Sequence, residues 1–330
     1  MTLQSTVLSG LREARNRVEL GLRRTLYRDV PSWRRQPNWL PWFDRPDALD
    51  VLARGVAGGE TSPEEARLLE QWIRDGYVIV DDCVDPADMD AMLATLDGLW
   101  DAEAPVPDLT LLDLREAPAA PPRNLTHAEL LRLDRSTRHR MRDVSDWRIH
   151  GFHAVDRPAR RIYRSRKLCD LASRIFRKRA RPIALINFMS GSEQDLHQDM
   201  AVFHIHPHNY LIGAWIACED VGSDQGPLLF YPGSHRVPLF PGFTNYPQTN
   251  LRTAGDEDFA AYQRYVATAA ERFEPHEFIA RRGQALLWHG GLIHGGAVIR
   301  RRGSTRKSMV IHYSVRGADK AREVTGPFRW

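Results

Sequence analysis

The stretch "DLHQDMAVFHIHPHNY" (195–210) carries four histidines and two aspartates in sixteen residues. An imidazole inside a protein needs something to use its ring nitrogens. "HQD" (197–199) is the only His-x-Asp in the chain. On a strand, residues i and i+2 face the same side. His197 and Asp199 can therefore aim one imidazole and one carboxylate at a single ion. Roughly one such triplet is expected by chance in a His-containing chain of this length, so the pair needs partners elsewhere. Two His and one carboxylate on one octahedral face is the ligand set of non-haem Fe(II) oxygenases. His204, His206 and His208 alternate on the face opposite Phe203 and Ile205. If the phase of 197 and 199 continues, these three point away from the ion and are structural or solvent-facing. A turn after Met200 breaks that phase and brings one of them to substrate.

Working outward, "GQALLWHGGLIHGGAVIRRRGSTRKSMVIHYS" (283–314) supplies His289 and His294, then Arg306. His294 lies 95 residues beyond Asp199, which suits a ligand returning on a distant strand. Arg306 follows twelve residues later and opens an apolar strand. A guanidinium pointing into a barrel needs an anion. The dicarboxylate 2-oxoglutarate offers one end to iron and the other to a bidentate arginine pair. Residues 306, 308, 310 and 312 share a face. His312 is then either a neighbour of the 2-oxoglutarate carboxylate or barrel filling. Asn187 and Gln194, just upstream of the metal pair, are candidates to bond substrate or co-substrate, and Tyr231 is a candidate to face the pocket.

From 182 onward the chain runs in short β-rich pieces: "PIALINFM", "YLIGAWIACE", "GPLLFYPGSH", "HEFIARRGQALLWHG" and "RKSMVIHYSV". Gly/Pro turns separate them, the pattern of a barrel or double-sheet jelly roll. Helices precede it. "TSPEEARLLEQWIRDG" (61–76) has a Ser/Thr cap, an early Pro, acids and a terminal Gly. "YVIVDDCV" (77–84) reads as a buried strand, and "DPADMDAMLATLDGLW" (85–100) as a helix capped by Asp85. Segments 126–148 and 158–178 read as helical. The Pro/Ala-rich 103–123 reads as a loop or lid. Residues 241–275, with a helix over 256–273, interrupt the strands and are placed to cover one mouth. Apolar spacing over 7–28 predicts an amphipathic helix. The Trp- and Pro-rich 31–46 reads as a staple to the core.

The set "LHQD…AWIACEDVGSDQGPLLFYPGSHR…WHGGLIHGG…R" resembles the phytanoyl-CoA dioxygenase family of Fe(II)/2-oxoglutarate oxygenases. The resemblance covers about 180–315, and "RDGYVIVDDCVDPADMDAM" (74–92) is similar to the family's opening strand and helix. It implies an α+β fold: a double-stranded β-helix, the jelly roll, flanked by helices. It implies Fe(II), 2-oxoglutarate and O2 as cofactor and co-substrates. His294, in "LIHGG", falls on the distal iron ligand beside His197 and Asp199, which leaves His289 as a structural neighbour. Arg306 falls on the 2-oxoglutarate arginine and Trp215 on a pocket-lining Trp. Gly296 stands where relatives often have a co-substrate-binding Ser. Because Asp199 is a carboxylate, and not the small residue of halogenating relatives, hydroxylation or another C–H oxidation is expected. The alternatives are an inactive jelly-roll binding protein and a cupin-type isomerase or hydrolase.

The 330 residues are 42% apolar and 27% charged, with a formal charge of +4. That describes an ordinary globular protein, divided here into an N-terminal helical extension (1–60) and one catalytic domain (61–330). No apolar run reaches membrane-spanning length. The N-terminus lacks a signal core. The cysteines Cys83, Cys169 and Cys218 are odd in number and scattered, so a cytoplasmic setting is expected and a disulfide or Cys-zinc framework is not. Basic clusters at 160–167, 174–182 and 300–307 accompany no nucleic-acid motif. They read as solvated faces or as an attraction for an anionic substrate or lipid head groups. The basic N-terminal helix is a candidate for peripheral membrane contact.

Overall fold

A computed structural model describes residues 40–318, apart from 204, 206, 245, 247–249, 302 and 317. The helix expected over 7–28, Trp33, Trp39, His204 and His206 lie outside the described residues. The helical half starts with α1 (Ala48–Ala57) and α2 (Pro63–Asp75). The Ser62 hydroxyl caps α2 by accepting from Glu65 N at 3.2 Å, and Pro63 opens the helix. After strand β1 (Tyr77–Val80), the Asp85 carboxylate caps α3 (Pro86–Gly98) in the same way. Strands β2 (Thr110–Leu114) and β3 (Arg123–Thr126), helices α4 (His127–Leu130) and α5 (Arg135–Val144), and strand β4 (Arg148–His150) follow. Helices α6 (Arg157–Tyr163) and α7 (Arg166–Phe176) complete this half.

The second half holds β5 (Ala180–Ser190), β6 (Ile212–Ala217), β7 (Leu228–Phe230), α8 (Asp256–Ala270), β8 (His276–Phe278), β9 (Ala285–His289), β10 (His294–Gly296) and β11 (Thr305–Val315). Among the described residues, eight antiparallel strands pair in the order β1-β9-β6-β11-β5-β4-β2-β3, and three in the order β10-β7-β8. The alternation of side chains divides the large sheet's two faces. Met309, Ile311 and Tyr313 of β11 join Leu185 and Met189 of β5 in the core cluster that includes Leu168, Ile175 and Phe176 of α7. Val310 joins Ile186, Phe188, Trp215, Leu286 and Trp288 in a second cluster shared with Leu228, Phe230 and Phe278 of the small sheet. The second cluster is the jelly-roll interior, and at its edge the Trp288 ring lies 4.8 Å from the ring of His294.

Three readings of the sequence change here. The strand in "YVIVDDCV" ends at Val80 and lies at a sheet edge, with Ile79 43% exposed. The stretch 103–123 contains β2, and 126–148 ends at the threshold of β4, whose Ile149 is fully buried. Both are short strands that extend the jelly roll beyond the run starting at 182. Of the residues assigned to the N-terminal extension, Trp42 and Phe43 belong to the main core. Trp42 is the staple: its indole donates to Ile175 O at 2.7 Å, and the Arg177 guanidinium lies 3.9 Å from its ring.

Candidate metal centre

His197 and His294 meet through their backbones before their side chains meet. The two form an isolated antiparallel bridge, His197 N donating to His294 O at 2.8 Å and His294 N to His197 O at 3.0 Å. Their rings lie 4.3 Å apart. Asp199 begins a short 3₁₀ turn (Asp199–Ala201) and is not a continued strand residue. The turn begins at Asp199 itself, before the point after Met200 where the sequence allows a break, and Phe203 lines the wall of the chamber as the phase of 197 and 199 would place it. Gln198, fully buried between the two ligands, donates to Val237 O and Gly291 O, and its own N–H is donated to the Tyr262 hydroxyl of α8. The ligand loop is thus fastened on three sides. Neither anchor was singled out in the sequence, because each acts through contacts more than thirty residues away.

One potential ligand atom from each of His197, Asp199 and His294 lies within 4.8 Å of the other two, and all three residues are buried. Asp199 Oδ1 stands 3.8 Å from Nε2 of both histidines. That is too long for hydrogen bonds and suits atoms that converge on one ion. His197 Nδ1 bonds Asp195 O at 2.8 Å and His294 Nδ1 bonds Leu292 O at 3.0 Å. A carbonyl can only accept, so each ring carries its proton on Nδ1 and turns the Nε2 lone pair to the centre. Burial, then His294, lowers the His197 pKa to about 4, and burial lowers that of His294. Both rings are therefore neutral and able to ligate near pH 7. Burial alone would raise the Asp199 pKa, but the carboxyl is held below its usual range, His312 contributing most through its charge and its contact with Oδ2.

The other oxygen, Asp199 Oδ2, takes the Trp288 indole N–H at 2.8 Å and lies 3.0 Å from His312 Nε2. These two neighbours orient the carboxylate and leave Oδ1 for the ion. His312 therefore positions the Asp199 carboxylate. Trp288 escaped the sequence reading because its neighbours His289 and His294 drew the attention. Its signal was Gly213 on the paired strand: a Cβ there would lie 2.3 Å from the indole, so only glycine lets the ring cross.

Arg306 is 3% exposed and lines the same chamber. It donates to Gly226 O and, at 3.1 Å, to the Ser192 hydroxyl, while its Nε has no hydrogen-bond partner. Burial pulls its pKa down to about 10, so it stays cationic at neutral pH. A buried guanidinium with two neutral acceptors and a spare N–H suits a carboxylate ligand. Gly296 also lines the chamber, but a Cβ there would lie 1.7 Å from Ser192 O. The loop carrying Ser192 occupies the space a serine would need, and it offers its own hydroxyl to the same chamber. Trp215 and Gln194 line the chamber too, and the Gln194 amide Nε2 is unpartnered.

Asn187 is a correction. Its neighbours Ile186 and Phe188 face the chamber, so alternation turns Asn187 to the opposite face, where its amide meets Met92 Sδ at 3.4 Å. Tyr231 packs against the main core, not the chamber. His208 is buried beside Tyr246, away from the chamber. His289 donates through Nε2 to Asp44 at 3.2 Å, since its Nδ1 accepts from Gly291 N. It ties residue 44 to the barrel and plays no part in the triad.

The family model for phytanoyl-CoA dioxygenase (PhyH) matches residues 72–307. The chain belongs to the phytanoyl-CoA dioxygenase family. It is 30% identical over 127 residues to the peroxisomal phytanoyl-CoA dioxygenase of Bos taurus, covering 37% of this chain and 34% of that protein. It is 25% identical over 154 residues to phytanoyl-CoA dioxygenase domain-containing protein 1 of Danio rerio, covering 45% and 50%. These matches span a third to a half of the curated relatives' length. Among solved structures, apo EctD from S. alaskensis superposes with a TM-score of 0.55 at 17% identity, covering 80% of this chain and 81% of that one. The epimerase SnoN in complex with Fe3+, α-ketoglutarate and nogalamycin RO gives 0.53 at 17%, covering 80% and 92%. At that identity the likeness establishes the family's double-stranded β-helix fold.

Proposed function

We propose that this family member is a non-haem Fe(II)/2-oxoglutarate-dependent dioxygenase that hydroxylates, or otherwise oxidises, an unactivated C–H of a small metabolite. In the hydroxylation, one oxygen of O2 enters the C–H bond and the other enters succinate as 2-oxoglutarate loses CO2. The observation that carries this reading is one buried chamber holding the His197/Asp199/His294 triad and a buried Arg306 with no acid among its hydrogen-bond partners. His197, Asp199 and His294 would hold the metal, which when bound supplies oxygen activation at its open positions. Arg306 binds the distal carboxylate of 2-oxoglutarate, with the Ser192 hydroxyl beside it. Trp288 and His312 keep Asp199 oriented, and Trp215, Ile186, Phe188 and Phe203 exclude water.

An inactive binding protein has no need of three converging ligands with fixed tautomers, and a cupin-type isomerase or hydrolase has no need of Arg306. No helix among the described residues is long and apolar enough to cross a membrane. Cys83, Cys169 and Cys218 are free thiols, which accords with a reducing, cytoplasmic setting. The test is succinate formation and O2 uptake in the presence of candidate substrates. Both should require Fe(II) and 2-oxoglutarate and stop in Asp199→Ala. Succinate formation that persists without added iron after chelation contradicts the reading.

A further inference from the structure

A second cavity of about 650 Å³ adjoins the metal chamber, and Ile186 and Phe203 line both. Its volume falls in the range of small-molecule sites. Strand register shows how the two connect. On β4, Arg148 pairs with Phe188 and His150 with Ile186 of β5. Directly opposed residues share a sheet face. The face that carries Ile186 and Phe188 beside the metal therefore continues outward to His150 and Arg148. The Arg148 guanidinium lies 6.0 Å from the Phe188 ring centroid.

Arg148 is fixed in this wall. Its side chain is 7% exposed and pairs with Asp113 at 2.7 Å. Asp113 lies within the irregular stretch of β2 at φ 62°, a left-handed conformation that breaks strand alternation and turns its carboxylate into the cavity. A second guanidinium, Arg252, lines the cavity from the 241–275 insertion. His150 reports the resulting field. Burial first, and then Arg148 and Arg252, lower its pKa to about 3. Of the charged side chains lining the cavity, three are arginines (Arg123, Arg148, Arg252) and two are aspartates (Asp108, Asp113). Arg148 pairs with Asp113, and Arg252 brings a second guanidinium from the insertion to the same cavity.

We infer that this cavity is the substrate's anion dock: Arg252 and Arg148 seat a carboxylate or phosphate group, and an apolar body passes between Ile186 and Phe203 toward the metal. The oxidised carbon then belongs to the apolar part of an amphiphilic anion. That last step rests on the oxygenase reading, whereas the docking does not. The segments 103–123 and 241–275 meet across this cavity, through Asp113 on one side and Arg252 on the other. The exposed basic clusters on α6 and α7 are not needed to attract the anion.

The test uses calorimetric titration of the metal-free full chain with hexanoate, hexyl phosphate and hexanol. Charge-assisted pairing predicts that one or both anions bind about tenfold or more tighter than hexanol. Arg252→Gln should remove about a factor of ten of that preference, and Arg252→Lys should keep most of it. The tighter of the two anions identifies the head group. The double variant Arg148→Gln/Asp113→Asn removes the fixed pair without leaving a buried lone charge, and it should weaken anion binding again. Equal binding of hexanol, or unchanged anion affinity in both Arg252→Gln and the double variant, overturns the inference. Anion preference without iron-dependent succinate formation would sink the oxygenase reading and leave the dock standing.

Discussion

The inner chamber and the outer cavity share Ile186 and Phe203 but are built differently. The inner chamber is walled by the centre of the large sheet, with every ligand buried and braced: Asp199 by Trp288 and His312, the two histidines by backbone carbonyls. The outer cavity is walled by the sheet's far edge, β2 to β4, and by the 241–275 insertion. The side chains that brace Asp199 sit on the rigid strands β9 and β11, while substrate choice sits where the chain is irregular. If so, perturbing the inner chamber should abolish turnover with every substrate, and perturbing the outer cavity should change which substrate is used.

The largest effect expected is at the triad. Asp199→Ala or His294→Ala should lower succinate formation by at least about 1,000-fold, or ~4 kcal/mol in the barrel's chemistry. Anaerobic Fe(II) titration should show lost metal binding with the fold intact by circular dichroism. Next is the buried cation. Arg306→Gln should weaken 2-oxoglutarate about 100-fold, since a buried charge-assisted pair is worth roughly 2–5 kcal/mol. His289→Ala separates structure from chemistry. It strips the partner from Asp44, whose carboxyl is held low against its burial by His289 and Asn209. That should cost about 3 kcal/mol and roughly 6–12 °C of Tm, while 2-oxoglutarate affinity is retained.

The convergence of His197, Asp199 and His294 was legible because these side chains are chemically distinctive, and because apolar strands with Gly/Pro turns announce a jelly roll. His197, Asp199, His294 and Arg306 come together in one chamber although the chain between them is long. The less visible parts depend on tertiary contacts. Trp288 looks like core until Gly213 is seen to make room for it. Ser192 matters only because its loop fills the space above Gly296. Asn187 misled because its neighbours on either side are the residues that face inward. Strands β2 and β4 are too short to announce themselves, β2 being embedded in a Pro/Ala-rich stretch, and they carry the wall that holds Arg148.

Smaller effects sharpen the comparison further. Ser192→Ala should weaken 2-oxoglutarate about tenfold, the worth of a hydrogen bond to a charged group, as read by anaerobic calorimetry. The gentlest probe is pH. His150 and His235 titrate at about 3 in the folded protein, chiefly because burial penalises the charged ring, against roughly 6.5 when unfolded. Below pH 6.5 the unfolded chain therefore binds protons that the native state refuses. Stability from these two groups is full above that pH and is lost as pH falls toward 3, by about 1.4 kcal/mol per pH unit for each ring. The Tm of metal-free protein should drop between pH 7 and 5. His150→Gln should flatten that slope without altering the iron affinity measured at pH 7.5.

The most direct test of the central claim is anaerobic titration of 2-oxoglutarate into the protein with and without Fe(II). One equivalent should bind when iron is present, markedly more tightly than without it, and the iron-dependent gain should vanish in Asp199→Ala. Binding of equal strength without iron, or an undiminished gain in Asp199→Ala, would contradict the assignment of His197, Asp199 and His294 as the metal centre.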